Sequence, residues 1–362
     1  MHTRHLQHFD DAQPKLHARA AAVRDELARV LAEETNLKVH SVTARAKARS
    51  SLAQKLARPD RSYDALWDVT DLVGLRVVTY FEDDVDRVGD VIERRFDVAF
   101  EHSVDKRKAR DPSTFGYRSL HYVCRFRGGD LPAEACFEIQ VRTVLEHAWA
   151  EIEHDLGYKS PAVVPLPVRR RLHRIASLLE LADEEFVAAR RSLEDYARAL
   201  PRRIDEEADA VPFDRLSLAT FVNSPAVGEI DQTIAERLGC TIGDELFFPD
   251  YLLAMLAEAK LATVGDARRA LAERASVVTN LVRPYFAFAE RAWRLSPQAS
   301  GRLPRGYALF FLVHAIVLEG ASLRIDKVQR LTALYRALDY PHDERAAQRV
   351  ASQLVDAFAE TG

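Results

Sequence analysis

Within residues 135–142 the chain alternates without a break from 137 onward, with Phe137, Ile139 and Val141 apolar and Glu138, Gln140 and Arg142 polar. A two-residue period is the signature of a half-buried β-strand, and it commits the chain to a sheet with one apolar and one polar face. Residues 72–81 (LVGLRVVTYF) are short and dense in β-branched and aromatic side chains, which predicts a second, buried strand. Residues 119–126 alternate well enough to pair with 135–142 as a hairpin around Gly128 and Gly129, and 96–101 and 37–42 are further short strands. Helical spacing runs between them. Leu16, Ala20, Val23, Leu27, Val30 and Leu31 line one face of a helix over 12–34, a second helix covers 43–56 with Pro59 beyond it, and a third covers 83–95. Helices alternating with strands imply a mixed sheet with helices packed on it.

Past Thr143 no segment reads strongly as a strand. Helices are predicted over 144–156 and, after a turn at Pro165–Pro167, over 168–200, whose apolar positions include Leu172, Ile175, Leu178, Leu179, Leu181, Ala182 and Phe186. Pro201 and the acidic residues 205–209 mark a linker, and 216–362 form a nearly all-helical region. The expectation is an α+β chain: a mixed β-sheet flanked by helices over 1–200, then a mainly α-helical domain over 201–362. The 362 residues, 48% hydrophobic and 29% charged, suffice for two such domains. A net charge of −4 argues against a surface that is basic throughout, so any nucleic-acid contact is local. Cys124, Cys136 and Cys240 are too far apart for a zinc pair or a disulfide framework and read as buried thiols in a reducing compartment. The first residues lack the apolar stretch of a secretory signal, and no apolar run approaches the roughly 20 residues of a membrane span. Residues 307–318, interrupted by His314, read as a buried helix. A cytoplasmic protein with no membrane partner is expected.

Three groups of residues carry candidate chemistry. Asp71 stands at the mouth of the 72–81 strand and Glu138 on the alternating one; if the strands are neighbours the carboxylates converge, and hard oxygens of that kind hold Mg²⁺. The competing reading is two solvated strand-end acids. Lys47, Ser51 and Lys55 follow at four-residue steps, placed on one face of the 43–56 helix, with Arg45 and Arg49 close by: a grip for a triphosphate or simply a charged surface. There is no GxxxxGK[ST] loop, so a Walker-type site is excluded. Lys106 and Arg107 open a basic run that leads to Tyr117, Ser119 and His121, which suits a nucleotide whose phosphates meet cations and whose base stacks on a ring, or else a basic loop with a packed tyrosine. His147 and His154 lie seven apart, which is no metal spacing.

Taken together, these blocks resemble the synthetase domain of the RelA/SpoT family, the alarmone (p)ppGpp synthetases. They occur in family order: Arg45, Lys47, Ser51 and Lys55; Asp71-Leu-Val-Gly74-Leu-Arg76; Gly116-Tyr117-Arg-Ser119-Leu-His121; Glu138-Ile-Gln140-Val-Arg142-Thr143; and Trp149-Ala-Glu151-Ile-Glu153-His154 running to Tyr158 and Lys159. The resemblance implies a nucleotidyltransferase-like domain that moves the β,γ-pyrophosphate of ATP onto the ribose 3′-hydroxyl of GDP or GTP. It implies that Arg45 and Arg76 clamp the adenine and that Lys47, Ser51 and Lys55 grip the ATP phosphates. Asp71 and Glu138 would hold Mg²⁺, with Glu138 also taking the hydroxyl proton. On the acceptor side it implies Lys106, Arg107, Tyr117, Ser119 and His121, with Gln140 and Arg142 orienting the site. Phe115 departs from the Asn that long members carry before the Gly-Tyr pair. The metal-binding His-Asp pattern of the hydrolase half is missing, because His342-Asp343 lies in the wrong place, and so synthesis without degradation is expected, as in the small alarmone synthetases. Two alternatives remain: a toxin-type relative that modifies the 3′-end of tRNA with residues 201–362 as fused regulator, and an inactive nucleotide-binding regulator. The C-terminal region is read as an oligomerisation, regulatory or partner-binding domain.

Overall fold

The alternating segment becomes strand β6 (Cys136–Thr143), which lies inside a six-stranded mixed sheet. The others are β1 (Val39–Ala46), β2 (Val73–Thr79), β3 (Asp97–Val98), β4 (Val104–Asp105) and β5 (Leu120–Arg125). Their order is β1-β2-β6-β5-β3, with β4 also paired to β5. β2 and β6 run parallel, and every other pair is antiparallel, including the expected β5–β6 pair. The computed structural model describes residues 2–59, 62–107, 119–128, 130–158, 165–295, 301–339 and 343–359. By internal packing the chain divides into two units, Met1–Arg191 and Ser192–Gly362.

Register turns the alternation into two chemically distinct faces, because residues paired across strands project to the same side. Leu75, Ile139, Val141 and Tyr122 fall on one side, packed with Leu16, Leu27 and Val30 of helix α1 (His2–Ala32) and Val85, Val88 and Ile92 of helix α3 (Glu82–Arg95). Arg45, Gly74, Arg76, His121, Glu138 and Gln140 fall on the other. All six apolar positions expected on the first helix are buried. That helix starts ten residues earlier than expected and runs through the exposed Pro14. An interior proline costs about 3 kcal/mol, which full burial of Phe9 alone, worth roughly 1.5–3 kcal/mol, largely offsets.

The helix expected from residue 43 begins only at Arg49, as α2 (Arg49–Leu56). Residues 43–46 continue β1 instead, with Ala44 opposite Leu75 and Ala46 opposite Val73. Alanine's helical preference is a weak prior that strand pairing and packing against the core override here. The strand expected over 96–101 shrinks to β3 and a 3₁₀ turn at Phe100–His102.

α4 (Val144–Tyr158) and α5 (Leu166–Glu206) are helical as expected, but α5 continues through Pro201, so no linker starts there. Leu200 and Ile204 are fully buried in the core of the second unit, and this burial carries the helix onward. Of the apolar row expected along α5, Leu172 is buried whereas Ile175, Leu178, Leu181 and Phe186 are exposed.

Beyond α5 follow α6 (Arg215–Val222), α7 (Pro225–Leu238), α8 (Pro249–Glu258), α9 (Val264–Asn280), α10 (Val282–Trp293), α11 (Tyr307–Glu319), α12 (Arg324–Ala337) and α13 (Glu344–Ala359). α11, apolar on all sides, is the buried helix the sequence implied and packs against α7, α8, α9 and α12. Its first turn is capped from outside: Asp231 of α7 accepts hydrogen bonds from Gly306 N (2.6 Å) and Ala308 N (2.7 Å). The expectation of no strand after Thr143 is corrected by a two-stranded parallel sheet, β7 (Thr241–Leu246) with β8 (Arg302–Arg305). Both strands are short and carry charges, and pairing across sixty residues, together with Leu303 buried in the core beside Ile242 and Leu246, stabilises them. The three cysteines are free and buried, and among the described residues no helix is long and apolar enough to cross a membrane.

Candidate active site

The polar sheet face gathers most of the expected residues. Gly74 and Arg76 of β2 sit opposite Glu138 and Gln140 of β6, and Gln140 sits opposite His121 of β5. On the other flank Arg45 pairs with Gly74, which makes Arg45 and Arg76 diagonal neighbours on that face. A Cβ on Gly74 would meet nothing within 4 Å, so the face lies open between Arg45 and Glu138.

Asp71, in the turn before β2, accepts one hydrogen bond from each of Lys47 Nζ and Lys55 Nζ, both at 2.8 Å. Lys47 sits just past β1 and Lys55 in the last turn of α2, so the two lysines reach Asp71 from different elements, which corrects the single-helix reading. Burial pushes the Asp71 carboxyl up, but the two ammonium groups hold it below the ordinary aspartate value. Ser51 is exposed on α2, one turn before Lys55.

Glu138 is held by His121 and Gln140: Nδ1 of His121 lies 2.6 Å from Oε1, and Gln140 Nε2 donates to Oε2 at 3.2 Å. Burial pushes Glu138 up as well. His121 and Gln140 together outweigh it and leave the carboxyl below the ordinary glutamate value, against the opposing push of Asp71's negative charge. That push means the two acids, far apart in sequence, share one electrostatic environment. An ionised carboxylate only accepts, so Nδ1 of His121 carries the proton, and Nε2 lies 2.6 Å from the Ser119 hydroxyl. Ser119 and His121 are buried, so they form a rigid chain behind Glu138.

Glu151 of α4 is a residue whose role the sequence motif did not reveal. It bonds Arg76 Nη1 at 2.9 Å and Arg142 Nη2 at 3.4 Å, tying the arginines of two neighbouring strands to one carboxylate. Its signal was present, since it lies two residues past Trp149 in a matched block, but only the docking of α4 shows what it holds. Trp149 Nε1 anchors that helix by donating to Leu172 O at 3.3 Å. Arg45, by contrast, is exposed and makes no hydrogen bond or ion pair among the described residues.

Arg107 is not brought to this face. Its guanidinium is buried between Asp105 (3.0 Å) and Asp86 of α3 (2.5 Å), and because Asp105 pairs with Leu120 it projects toward the apolar side. Burial lowers its basicity, but the two carboxylates more than restore it. The acceptor-binding expectation for Arg107 is therefore replaced by a structural one. Lys106 is exposed beside it, and Tyr117 lies outside the described residues.

A mixed sheet carrying paired carboxylates beside a cluster of lysines and arginines defines a class of phosphate-handling nucleotide enzyme, and similarity to known proteins narrows it. The family model for the region found in RelA/SpoT proteins matches residues 44–162. The chain is 30% identical over 174 residues to the GTP pyrophosphokinase YjbM of Bacillus subtilis, covering 47% of this chain and 81% of that protein. It is 24% identical over 180 residues to YwaC of the same organism, named a GTP pyrophosphokinase, covering 46% and 82%. Among solved structures it is similar to small alarmone synthetase 1 from Bacillus subtilis, with 26% identity, 49% of this chain and 93% of that one covered, and a TM-score of 0.44. A GTP pyrophosphokinase family protein from Streptococcus pneumoniae gives 29% identity, 52% and 91% coverage, and a TM-score of 0.41. This chain belongs to the RelA/SpoT family.

Proposed function

We propose that the first unit transfers the β,γ-pyrophosphate of ATP to the ribose 3′-hydroxyl of GDP or GTP, making (p)ppGpp, without a hydrolase activity. The reading is supported above all by Glu138, fixed between His121 and Gln140 on the sheet face that also presents Arg45 and Arg76. In the reaction the acceptor 3′-oxygen bonds to the β-phosphorus of ATP, the bond from that phosphorus to the oxygen bridging it to the α-phosphorus breaks, and AMP departs with that oxygen. The hydroxyl proton passes to Glu138. A carboxylate held below its ordinary pKa is a weak base, so its larger contribution is to orient the hydroxyl through the His121–Ser119 chain.

Lys47 and Lys55, which neutralise Asp71 in this structure, turn toward the triphosphate, and Ser51 adds a hydroxyl one turn from Lys55. Arg45, free to move, and Arg76, steadied by Glu151, take the adenine between guanidinium planes. The donor set fits Mg²⁺: two carboxylates close enough to perturb each other offer hard oxygens to an ion that takes one or two of them together with phosphate oxygens. Asp71 and Glu138 would hold the ion, which would supply charge neutralisation at the transferred phosphates. Lys106 completes the acceptor side, while Ser119 acts from behind Glu138 through His121.

The test incubates the purified chain with γ-labelled ATP, Mg²⁺, and GDP, GTP or deacylated tRNA in separate reactions. Label is expected in the guanine nucleotide. Label in tRNA alone overturns the acceptor assignment, and no transfer to any acceptor overturns the activity.

A further inference from the structure

The second unit contains a cavity of about 410 Å³ between the segment after β7, α10 and the N-terminal half of α11. Eight of its ten lining side chains are aromatic and none is charged. Phe247 and Tyr307 stand 4.5 Å apart between ring centroids, and Tyr285 and Phe310 5.1 Å apart, so flat surfaces face inward from three elements. Space of this size lies within the roughly 300–1,000 Å³ of small-molecule sites. Protein interiors are otherwise packed close to crystal density, so side chains that could collapse on an empty apolar space usually do.

Two local features go beyond packing. Tyr307 lines the cavity at 6% exposure, and its hydroxyl has no hydrogen-bond partner among the described residues. A hydroxyl left open on an otherwise apolar wall is a ready partner for a ligand oxygen or nitrogen. Tyr335, on the same wall, shows the satisfied alternative: its hydroxyl meets His314 Nε2 at 3.0 Å. The second feature is Phe248, whose backbone lies in the positive-φ region (φ 26°) while its ring is 70% exposed at the lining. A bulky residue rarely adopts that conformation, and a strained backbone that holds an aromatic ring out in solvent is more typical of a ligand clamp than of a core.

We propose that this cavity is a binding site for an uncharged, flat aromatic molecule with one hydrogen-bonding group, which pairs with the Tyr307 hydroxyl while Phe248 and Trp293 close over its exposed edge. The absence of any charged lining residue sets its ligand apart from the nucleotides proposed for the first unit, and burial, which pushes the Tyr307 phenol up to about 12, keeps that hydroxyl a neutral partner at physiological pH.

The test titrates the full chain with the uncharged fluorophore N-phenyl-1-naphthylamine, then displaces it with naphthalene or 1-naphthol. A saturable signal from a single site is expected, with 1-naphthol competing about fivefold better than naphthalene, the effect of one neutral hydrogen bond. Val350→Trp fills the cavity and should weaken fluorophore binding about tenfold or more, as loss of the site's apolar contacts requires. Phe248→Ser removes only an exposed, strained ring, so it should weaken binding without lowering the thermal midpoint. Tyr307→Phe should erase the preference for 1-naphthol and leave naphthalene unaffected. No saturable binding, or wild-type binding in both Val350→Trp and Phe248→Ser, overturns the site. A preference for 1-naphthol that survives Tyr307→Phe overturns the role of the hydroxyl.

Discussion

The two units satisfy buried charge in opposite ways. In the first, Asp71 and Glu138 are partnered by side chains alone: two lysines for one, a histidine and a glutamine for the other. In the second, Asp231 accepts from the backbone N–H groups of Gly306 and Ala308, and His314 spends Nδ1 on the Phe310 carbonyl at 2.8 Å. A charge held by side chains alone can be handed to a ligand without stranding any backbone group. One built into a helix cap cannot, because releasing it strands backbone groups that have no water to turn to. This difference supports the proposed chemical role of the first unit's acids and an architectural one for Asp231. The electrostatics follow the same division: Asp71 and Glu138 are held below their ordinary values, whereas burial pushes Asp231 up to about 6 and His314 down to about 4.

The sharpest way to break the contrast is Glu138→Gln. Pyrophosphate transfer should fall by about 10²–10⁴-fold while the thermal midpoint stays near that of the parent. A large drop in stability with activity per folded molecule retained would make Glu138 architectural after all. Asp231→Ala is the mirror experiment. It removes an external cap and leaves two buried N–H groups unpaired, at a cost of about 2–4 kcal/mol, seen as faster hydrogen exchange in peptides of α7 and α11.

Acid titration sharpens the comparison further. Asp71 and Glu138 have depressed values, so they stabilise the first unit above their unfolded pKa of about 4 and lose that contribution as pH falls through their folded values. In the second unit the two buried groups oppose each other. Asp231, raised to about 6, stabilises at low pH and loses this as pH rises through about 6; His314, lowered to about 4, stabilises above its unfolded value of about 6.5 and loses this as pH falls. Each is worth about 3 kcal/mol at 1.36 kcal/mol per pH unit, so the wild-type second unit should be nearly flat between about pH 4 and 6. Asp231→Asn should unmask a stability that rises with pH over that range, read by denaturant titration at several pH values. A parent that already rises steeply there would contradict the balance.

Arg107→Gln should cost about 1–3 kcal/mol through its lost charged hydrogen bonds while leaving the acceptor KM unchanged. A raised KM with unaltered stability would restore Arg107 to the acceptor site. The smallest effect is Tyr335→Phe, about 1 kcal/mol from one hydrogen bond to His314, with no change in transfer rate.

Much of this molecule was legible along the chain. The alternation at Phe137–Arg142 marks which side chains share a face, the spacing of Leu16, Ala20, Val23 and Leu27 marks which face of α1 is buried, and the apolarity of 307–318, interrupted only by His314, marks a core helix. Each is a local period, and burial follows local period whatever the partner. Other features depended on neighbours distant in sequence. Residues 43–46 became strand because β2 lay alongside, α5 passed Pro201 because Leu200 and Ile204 had a core to enter, and β7 formed because β8, sixty residues on, supplied its partner. The same division runs through the site. Residue identities and their order pointed to Asp71, Glu138 and the cations around them, whereas the turning of Arg107 toward Asp86, the gathering of Arg76 and Arg142 by Glu151, and the His121–Ser119 chain behind Glu138 came only with the assembled fold. A hydrogen bond needs its partner within about 3 Å, and over such distances the composition of one segment carries no information about which other segment arrives beside it.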